Sequence, residues 1–259
     1  MQEIAGILGN LAGNSAALCS SDYQQLRADA LNAQAGSLRG YDCPECQNRG
    51  YRIVVNEQGE IVSRRCRCMD VRENLRRIAE SGLQDMVERY TFEAFRTDTP
   101  WQKRMKEAAL DYIQHPENRW FVVSGSVGSG KTHICTAICA QLMRAGVPAR
   151  YFLWRDDAPR IKAAVNDTEA YQALVRPLKT VRLLYIDDLF KGNPSEGDKN
   201  LAFEILDARY RNSTLLTLIS SERTIEQILQ LDEAIGSRIY ERAKEHYLCI
   251  VGRDKNQRL

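Results

Sequence analysis

No run of about 18 consecutive apolar residues occurs in this 259-residue chain, so a membrane-spanning helix is not expected. Charge of one sign is also lacking. The 36 Lys and Arg nearly balance 34 Asp and Glu, and the net +2 excludes a polybasic nucleic-acid arm or an acidic tail as the dominant character. Histidine is scarce: His115, His133 and His246 are dispersed, and none has metal-ligand spacing. No Ser-His-Asp or Cys-His constellation is supported, and no internal repeat or low-complexity tract is visible. The opening stretch, MQEIAGILGNLAG, lacks the basic segment of a secretory leader and is expected to belong to a mature, cytoplasmic chain. With 44% hydrophobic and 27% charged residues, the composition excludes a disordered chain. Length allows one large domain, or one domain with a small appendage.

Cysteine, by contrast, is plentiful. Of eight cysteines, four form Cys43-Pro-Glu-Cys46 and, after 19 intervening residues, Cys66-Arg-Cys68. Two close pairs across a short polar stretch predict a tetrahedral zinc–thiolate site made by Cys43, Cys46, Cys66 and Cys68. Tyr51–Val55 and the stretch from Ile61 flank Asn56-Glu-Gln-Gly59, which reads as a hairpin, so the module is expected to be a zinc ribbon. Disulfides fit poorly, because a chain whose opening stretch lacks a secretory leader is expected in a reducing compartment. About 30 residues bury too little core to fold unaided, whereas bound zinc supplies roughly 10–16 kcal/mol of apparent binding energy. Four thiolates leave no open position, so the role is structural. Cys135 and Cys139 stand at i, i+4 spacing and read as small buried apolar residues.

Segments 1–40 (one or two short helices, the second starting near Ser21-Asp22), 41–70 (the ribbon) and 71–99 (a helix from Asp70 to Glu80, then a linker) precede a domain over 100–259. Arg72, Arg76 and Arg77 give that helix a basic face. Residues 62–77 hold six arginines against two acids, and this stretch is open to two readings, nucleic-acid contact or a solvated face. From Trp101 onward, helical and apolar strand-like segments alternate. Strands are predicted at Trp120–Ser124, Ala149–Trp154, Arg182–Ile186, Leu215–Ile219 and Tyr247–Val251, with helices at 131–145, 200–210 and 225–231. That pattern predicts an α/β fold, a three-layer domain around a parallel sheet.

Between the first strand and the first helix lies Gly125-Ser-Val-Gly-Ser-Gly-Lys-Thr132, which matches G-x-x-x-x-G-K-[ST] in the context a P-loop requires. Its glycines let backbone N–H groups wrap phosphates; Lys131 would reach the β- and γ-phosphates and Thr132 would bind Mg²⁺. The nucleotide-binding set is therefore Gly125, Ser126, Val127, Gly128, Ser129, Gly130, Lys131, Thr132 and His133, with Asp187. Four apolar residues from Leu183 deliver Asp187 and Asp188 at a strand's carboxyl end, where ligands of such sheets bind. Asp187 would hold Mg²⁺, and Asp188 would orient or deprotonate the attacking water.

Gly130-Lys-Thr-His133, Ile186-Asp-Asp-Leu189, the run from Ala208 to Asn212 and Ile219-Ser-Ser-Glu222 together resemble the DnaC/DnaI-type helicase loaders. These are AAA+ ATPases related to the IstB-type transposition helpers. The resemblance runs from about Tyr90 to the C-terminus, and the ribbon with its Arg-rich helix is similar to the N-terminal region of DnaI-like members. It implies that Ser221 senses the γ-phosphate. It also implies that Arg238, in Gly236-Ser-Arg238-Ile-Tyr-Glu-Arg242, reaches a neighbouring subunit's nucleotide as an arginine finger, with Arg242 in reserve. Implied too are slow ATP hydrolysis without a full helical lid, since 17 residues follow Arg242, and a homo-oligomer in the ATP state. The implied partners are a hexameric replicative helicase and single-stranded DNA. In residues 155–180, Arg160, Lys162, Arg176 and Lys179 could meet phosphates while Trp154 or Tyr171 stacks on bases; the other reading is an amphipathic helix with core aromatics. A transposition helper or a nucleotide-gated zinc adaptor are the competing functions.

Overall fold

A computed structural model describes residues 20–81, 84–116 and 119–257; the stretch before Ser20, where a first short helix is possible, lies outside the described residues. The chain divides into two compact units, between Arg72 and Glu73.

In the first unit, helix α1 (Ser20–Asn32) precedes an antiparallel hairpin of β1 (Tyr51–Val55) and β2 (Ile61–Arg65), in register from Tyr51↔Arg65 to Val55↔Ile61. Asn56 closes the turn: its Oδ1 accepts from the N–H groups of Gln58 (3.1 Å) and Glu60 (2.8 Å). The Asn32 side chain bonds both backbone groups of Ile53, donating to its carbonyl at 2.7 Å and accepting from its N–H at 2.9 Å. Helix α2 (Cys68–Ser81) begins on the fourth clustered cysteine, two residues earlier than expected.

The second unit contains α3 (Gln84–Arg89), α4 (Pro100–Gln114), β3 (Trp120–Gly125), α5 (Lys131–Arg144), β4 (Ala149–Leu153), α6 (Trp154–Ala163), α7 (Thr168–Thr180), β5 (Leu183–Asp187), α8 (Glu196–Arg211), β6 (Leu216–Ser221), α9 (Ile225–Leu231), α10 (Glu233–Ala243) and β7 (Tyr247–Ile250). Its five strands pair in the order β4-β5-β6-β3-β7, all parallel. The predicted α/β class and five-stranded sheet are present. Several boundaries differ by a few residues. Trp154 opens α6 rather than closing β4, and β5 extends through Asp187 itself.

Strand parity sorts the core into two layers. Phe121, Val123, Leu183, Tyr185, Leu216 and Leu218 face α4 and α5, where Met105, Tyr112, Ile134 and Ile138 cover them. Trp120, Val122, Leu184, Ile186 and Ile219 point to the opposite layer, against Ile205, Leu206, Ile235 and Ile239. Each such aliphatic side chain contributes about 1.5–3 kcal/mol by leaving water. Arg209 is the exception in this core. Its wholly buried guanidinium donates to Thr217 Oγ1 (3.0 Å) and the carbonyls of Leu178 (2.9 Å), Val181 (2.9 Å) and Leu216 (2.5 Å), joining the end of α7 to β6.

Candidate active site and metal centre

The four thiols of the first unit come together. Cys43, Cys46, Cys66 and Cys68 are all buried, with ligand atoms within 4.8 Å of one another. Cys43 Sγ lies 3.8 Å from Cys66 Sγ, and Cys46 Sγ lies 3.4 Å from Cys68 Sγ. A tetrahedral site with bonds of about 2.3 Å sets its sulfurs about 3.8 Å apart, so this spacing fits Zn²⁺ and excludes disulfides. Left-handed backbone at Gln47, Asn48 and Gly50 folds the first knuckle, and the Gly50 N–H donates to Cys46 Sγ at 3.3 Å. Burial works against the Cys46 thiolate, but that N–H and the neighbouring thiols outweigh it and bring its pKa down to about 6; burial pushes Cys68 up to about 12. Only a cation among them lets all four ionise together.

The arginines of the basic stretch serve this module. Arg72 donates to the carbonyls of Arg39 and Tyr41 and to Asn48 Oδ1, while Arg65 pairs with Asp70 and Arg67 with Glu45. The Arg77 side chain lies outside the described residues. Neither reading of this stretch anticipates that Arg65, Arg67 and Arg72 bond groups of their own module.

In the second unit, the phosphate loop leaves β3 and enters α5. Gly125 has φ +114°, and a Cβ there would fall 2.2 Å from the Ile250 carbonyl oxygen. Gly128, at left-handed φ +74°, packs against the Asn256 side chain. Both positions require glycine. Ser126 N–H donates to Ile250 O (2.7 Å), Ser129 Oγ donates to Ser126 O (2.8 Å), and Val127 forms the exposed tip. Lys131 Nζ donates to the carbonyls of Gly125 (3.0 Å) and Ser126 (2.8 Å). Burial lowers its pKa, against the opposing pull of Glu222, Asp188 and Asp187.

Asp187 is the centre of the site. Its carboxylate accepts from Thr132 Oγ1 (3.1 Å), Tyr185 OH (2.9 Å), Tyr151 OH (2.9 Å) and Ser220 Oγ. Burial, and then the Asp187 charge, push both phenols above their usual pKa, so they remain donors. Among the described residues no cationic side chain bonds this buried carboxylate. A hard oxygen anion beside a threonine hydroxyl, stabilised only by neutral donors, fits a divalent cation such as Mg²⁺.

Thus Gly125 to Thr132 and Asp187 come together at the carboxyl end of the sheet, and Ser221, His133, Arg238, Arg242 and Asp188 each make other contacts. Ser221 Oγ is buried and donates to Leu189 O at 2.7 Å; Ser220, one parity step away, is the serine that meets Asp187. His133 turns from the loop. Its ring sits against Tyr90 and Phe95, and Nε2 lies 2.8 Å from Thr91 O. Arg238 is held by Asp207 (3.0 Å) and Ala234 O (2.8 Å), over the rings of Phe203 and Tyr210, and Arg242 reaches Ser213 O (3.1 Å). Asp188 adopts φ +58°, with its N–H on Ser220 Oγ (2.9 Å) and Oδ2 on Lys191 Nζ (2.7 Å).

Sequence reasoning missed Tyr151, Tyr185, Ser220, Lys191 and Glu222. Strand parity was the available signal for Tyr185 and Ser220; the others depend on strand order. In the 155–180 region, Trp154 is buried against Phe152 and Phe190, and Tyr171 OH bonds Glu204 at 2.5 Å. Lys162 and Lys179 pair with Asp198 and Glu204. These four match the amphipathic, core-packed reading.

A family model described as IstB-like ATP binding protein matches residues 49–257, from within the cysteine module through the last strand. The chain belongs to the IstB-like ATP-binding family. Among relatives in this AAA+ family, the phage-like element PBSX protein XkdC of Bacillus subtilis (strain 168) is 34% identical over 226 residues, covering 82% of this chain and 83% of XkdC. The replicative helicase loader DnaC of Escherichia coli (strain K12) is 27% identical over 194 residues, 71% of this chain and 76% of DnaC. Two solved structures share the fold: a DnaC helicase loader (TM-score 0.53, 21% identity, 62% of this chain and 98% of that one) and DnaI (TM-score 0.54, 18% identity, 66% and 93%). As an IstB-like protein the chain binds ATP.

Proposed function

We propose that this protein is an ATP-hydrolysing DNA-replication factor that loads a ring-shaped helicase onto single-stranded DNA. The observation that carries the ATPase part is the buried Asp187 carboxylate, which shares a hydrogen bond with Thr132 of the phosphate loop and lacks a bonded cation among the described residues. Thr132 and Asp187 would hold Mg²⁺, which supplies charge stabilisation to the transferring phosphoryl group. Lys131 exchanges its loop carbonyls for β- and γ-phosphate oxygens. Asp188 accepts a proton from, or orients, the attacking water. Ser220 keeps both aspartates in place. Arg238, once released from Asp207, would meet the nucleotide of a neighbouring copy. Zn²⁺ on the four cysteines keeps the first unit folded for partner binding.

The loading part rests on kinship with DnaC and takes its test from that. ATP turnover is measured for the parent, Lys131→Ala and Arg238→Ala, each with and without single-stranded DNA. Turnover lost in both variants is the expected result, and a parent without turnover leaves a nucleotide-gated adaptor instead. Co-purification with hexameric helicases, with ATP and with a non-hydrolysable analogue, then tests loading. No association with any ring helicase overturns that part and leaves the ATPase standing.

A further inference from the structure

Three charged groups at the carboxyl end of the sheet remain outside the phosphate-loop and Asp187 cluster. Lys191 Nζ is bonded at once to Asp188 Oδ2 (2.7 Å) and to Glu222 Oε1 (3.0 Å). All three side chains are partly buried, between one-fifth and one-third exposed. One ammonium therefore bridges an acid after β5 and an acid after β6.

The surrounding backbone is built to hold that bridge. Lys191 N–H donates to Asp188 O at 3.0 Å and Leu189 N–H to Ser220 O at 2.9 Å. Ser221 Oγ fixes Leu189 O, and Arg223, following Glu222, donates to Phe190 O (3.0 Å) and to Gly192 O. Asp188 and Phe190 both adopt φ +58°, a conformation L-residues take at a cost unless their neighbours impose it. Four consecutive residues, Ser220 to Arg223, thus stitch down the loop that carries Asp188 and Lys191. Burial lowers the Lys131 pKa; the Glu222 and Asp188 charges oppose that shift, and the Lys191 charge adds to it.

We infer that Lys191 and Glu222 are positioning residues of the phosphate site, forming with Asp188 a carboxylate–ammonium–carboxylate triad beside the terminal phosphate. The inference rests on the ATP-binding reading of the loop. Two carboxylates this close repel each other and any approaching phosphate; the ammonium between them offsets both effects and aims Asp188. Burial disfavours the Lys191 charge, and the two carboxylates outweigh it, so the ammonium persists. Glu222 makes the arrangement adjustable, because it competes with Asp188 for the same cation.

The test compares affinities for a non-hydrolysable ATP analogue and for ADP, in the parent, Lys191→Met, Lys191→Arg, Glu222→Gln and the Lys191→Met/Glu222→Gln double variant. The readout needs no turnover, so it is independent of whether the protein hydrolyses ATP. Losing one ammonium at a partly screened site should weaken triphosphate binding about tenfold and ADP binding by less than about threefold. Lys191→Arg should stay near the parent. Glu222→Gln should strengthen triphosphate binding, and the double variant should recover most of what Lys191→Met loses. Equal losses for both nucleotides, or a double variant no better than Lys191→Met, would overturn the triad. If the parent binds neither nucleotide, the ATP-binding assignment itself fails, and the triad fails with it.

Discussion

Among the described residues, only Tyr41 and Met69 pack as apolar neighbours around Cys43, Cys46, Cys66 and Cys68, whereas the five-stranded sheet of the second unit is covered on both faces by aliphatic and aromatic side chains. The contrast separates two ways of stabilising a fold. The ribbon would draw on ligand bonds to one ion, and it draws on arginines that tie backbone carbonyls together. The second unit draws on area removed from water, and its polar site is set into a sheet buried on both faces. An ion-dependent unit can be switched off chemically; a burial-dependent one must be mutated.

Metal removal should give the largest effect. Chelation should unfold the first unit, consistent with roughly 10–16 kcal/mol of apparent zinc binding energy, and leave the thermal transition of the second nearly unmoved. Limited proteolysis around residues 43–68, with calorimetry of the whole chain, reads both. Acid should act in the same direction as the chelator, because falling pH protonates the thiolates that zinc requires. A protease pattern indifferent to chelation would show that the ribbon does not depend on its ion.

Next in size is Ile205→Ala, which opens a void in the layer between α8 and the sheet and should cost about 2–5 kcal/mol in urea unfolding. Chelator sensitivity should not change. A shift in zinc release on this substitution would break the separation of the two units. The smallest effect belongs to Tyr151→Phe, which removes one of four donors to Asp187 and should destabilise by about 1 kcal/mol. Loss of nucleotide binding altogether would instead make that hydroxyl part of the phosphate cradle.

Much of the second unit was legible because its signals are local. The glycine spacing of the loop, the apolar run into Asp187 and the alternation of strands with helices are all readable along the chain. What was not legible depends on pairing. Tyr151 and Tyr185 are register partners on β4 and β5, and nothing in either segment announces that strand order will make them neighbours around one carboxylate. Ser220 and Ser221 are chemically identical in the sequence; only the parity of β6 gives the first to Asp187 and the second to Leu189. Trp154 reads as the last residue of an apolar strand, yet α6 begins there, where Asp157 Oδ2 accepts from the Leu153 N–H at 2.9 Å and the ring packs edge-on against Phe152 and Phe190. In the first unit, cysteine spacing was explicit. The use of Arg65, Arg67 and Arg72 was hidden, since a count of charges does not show which of them find partners.

Ser220 has a consequence for how this site can evolve. Its single hydroxyl donates to the carboxylate of Asp187 and accepts from the N–H of Asp188. The residue suited to hold a metal and the residue suited to handle water therefore share a hinge pin, and neither can be re-aimed alone. Lineages that sharpen or silence hydrolysis by shifting Asp188 would have to carry Asp187 along or replace Ser220 first. That order of steps makes the serine a gate on which active sites this fold can reach from here.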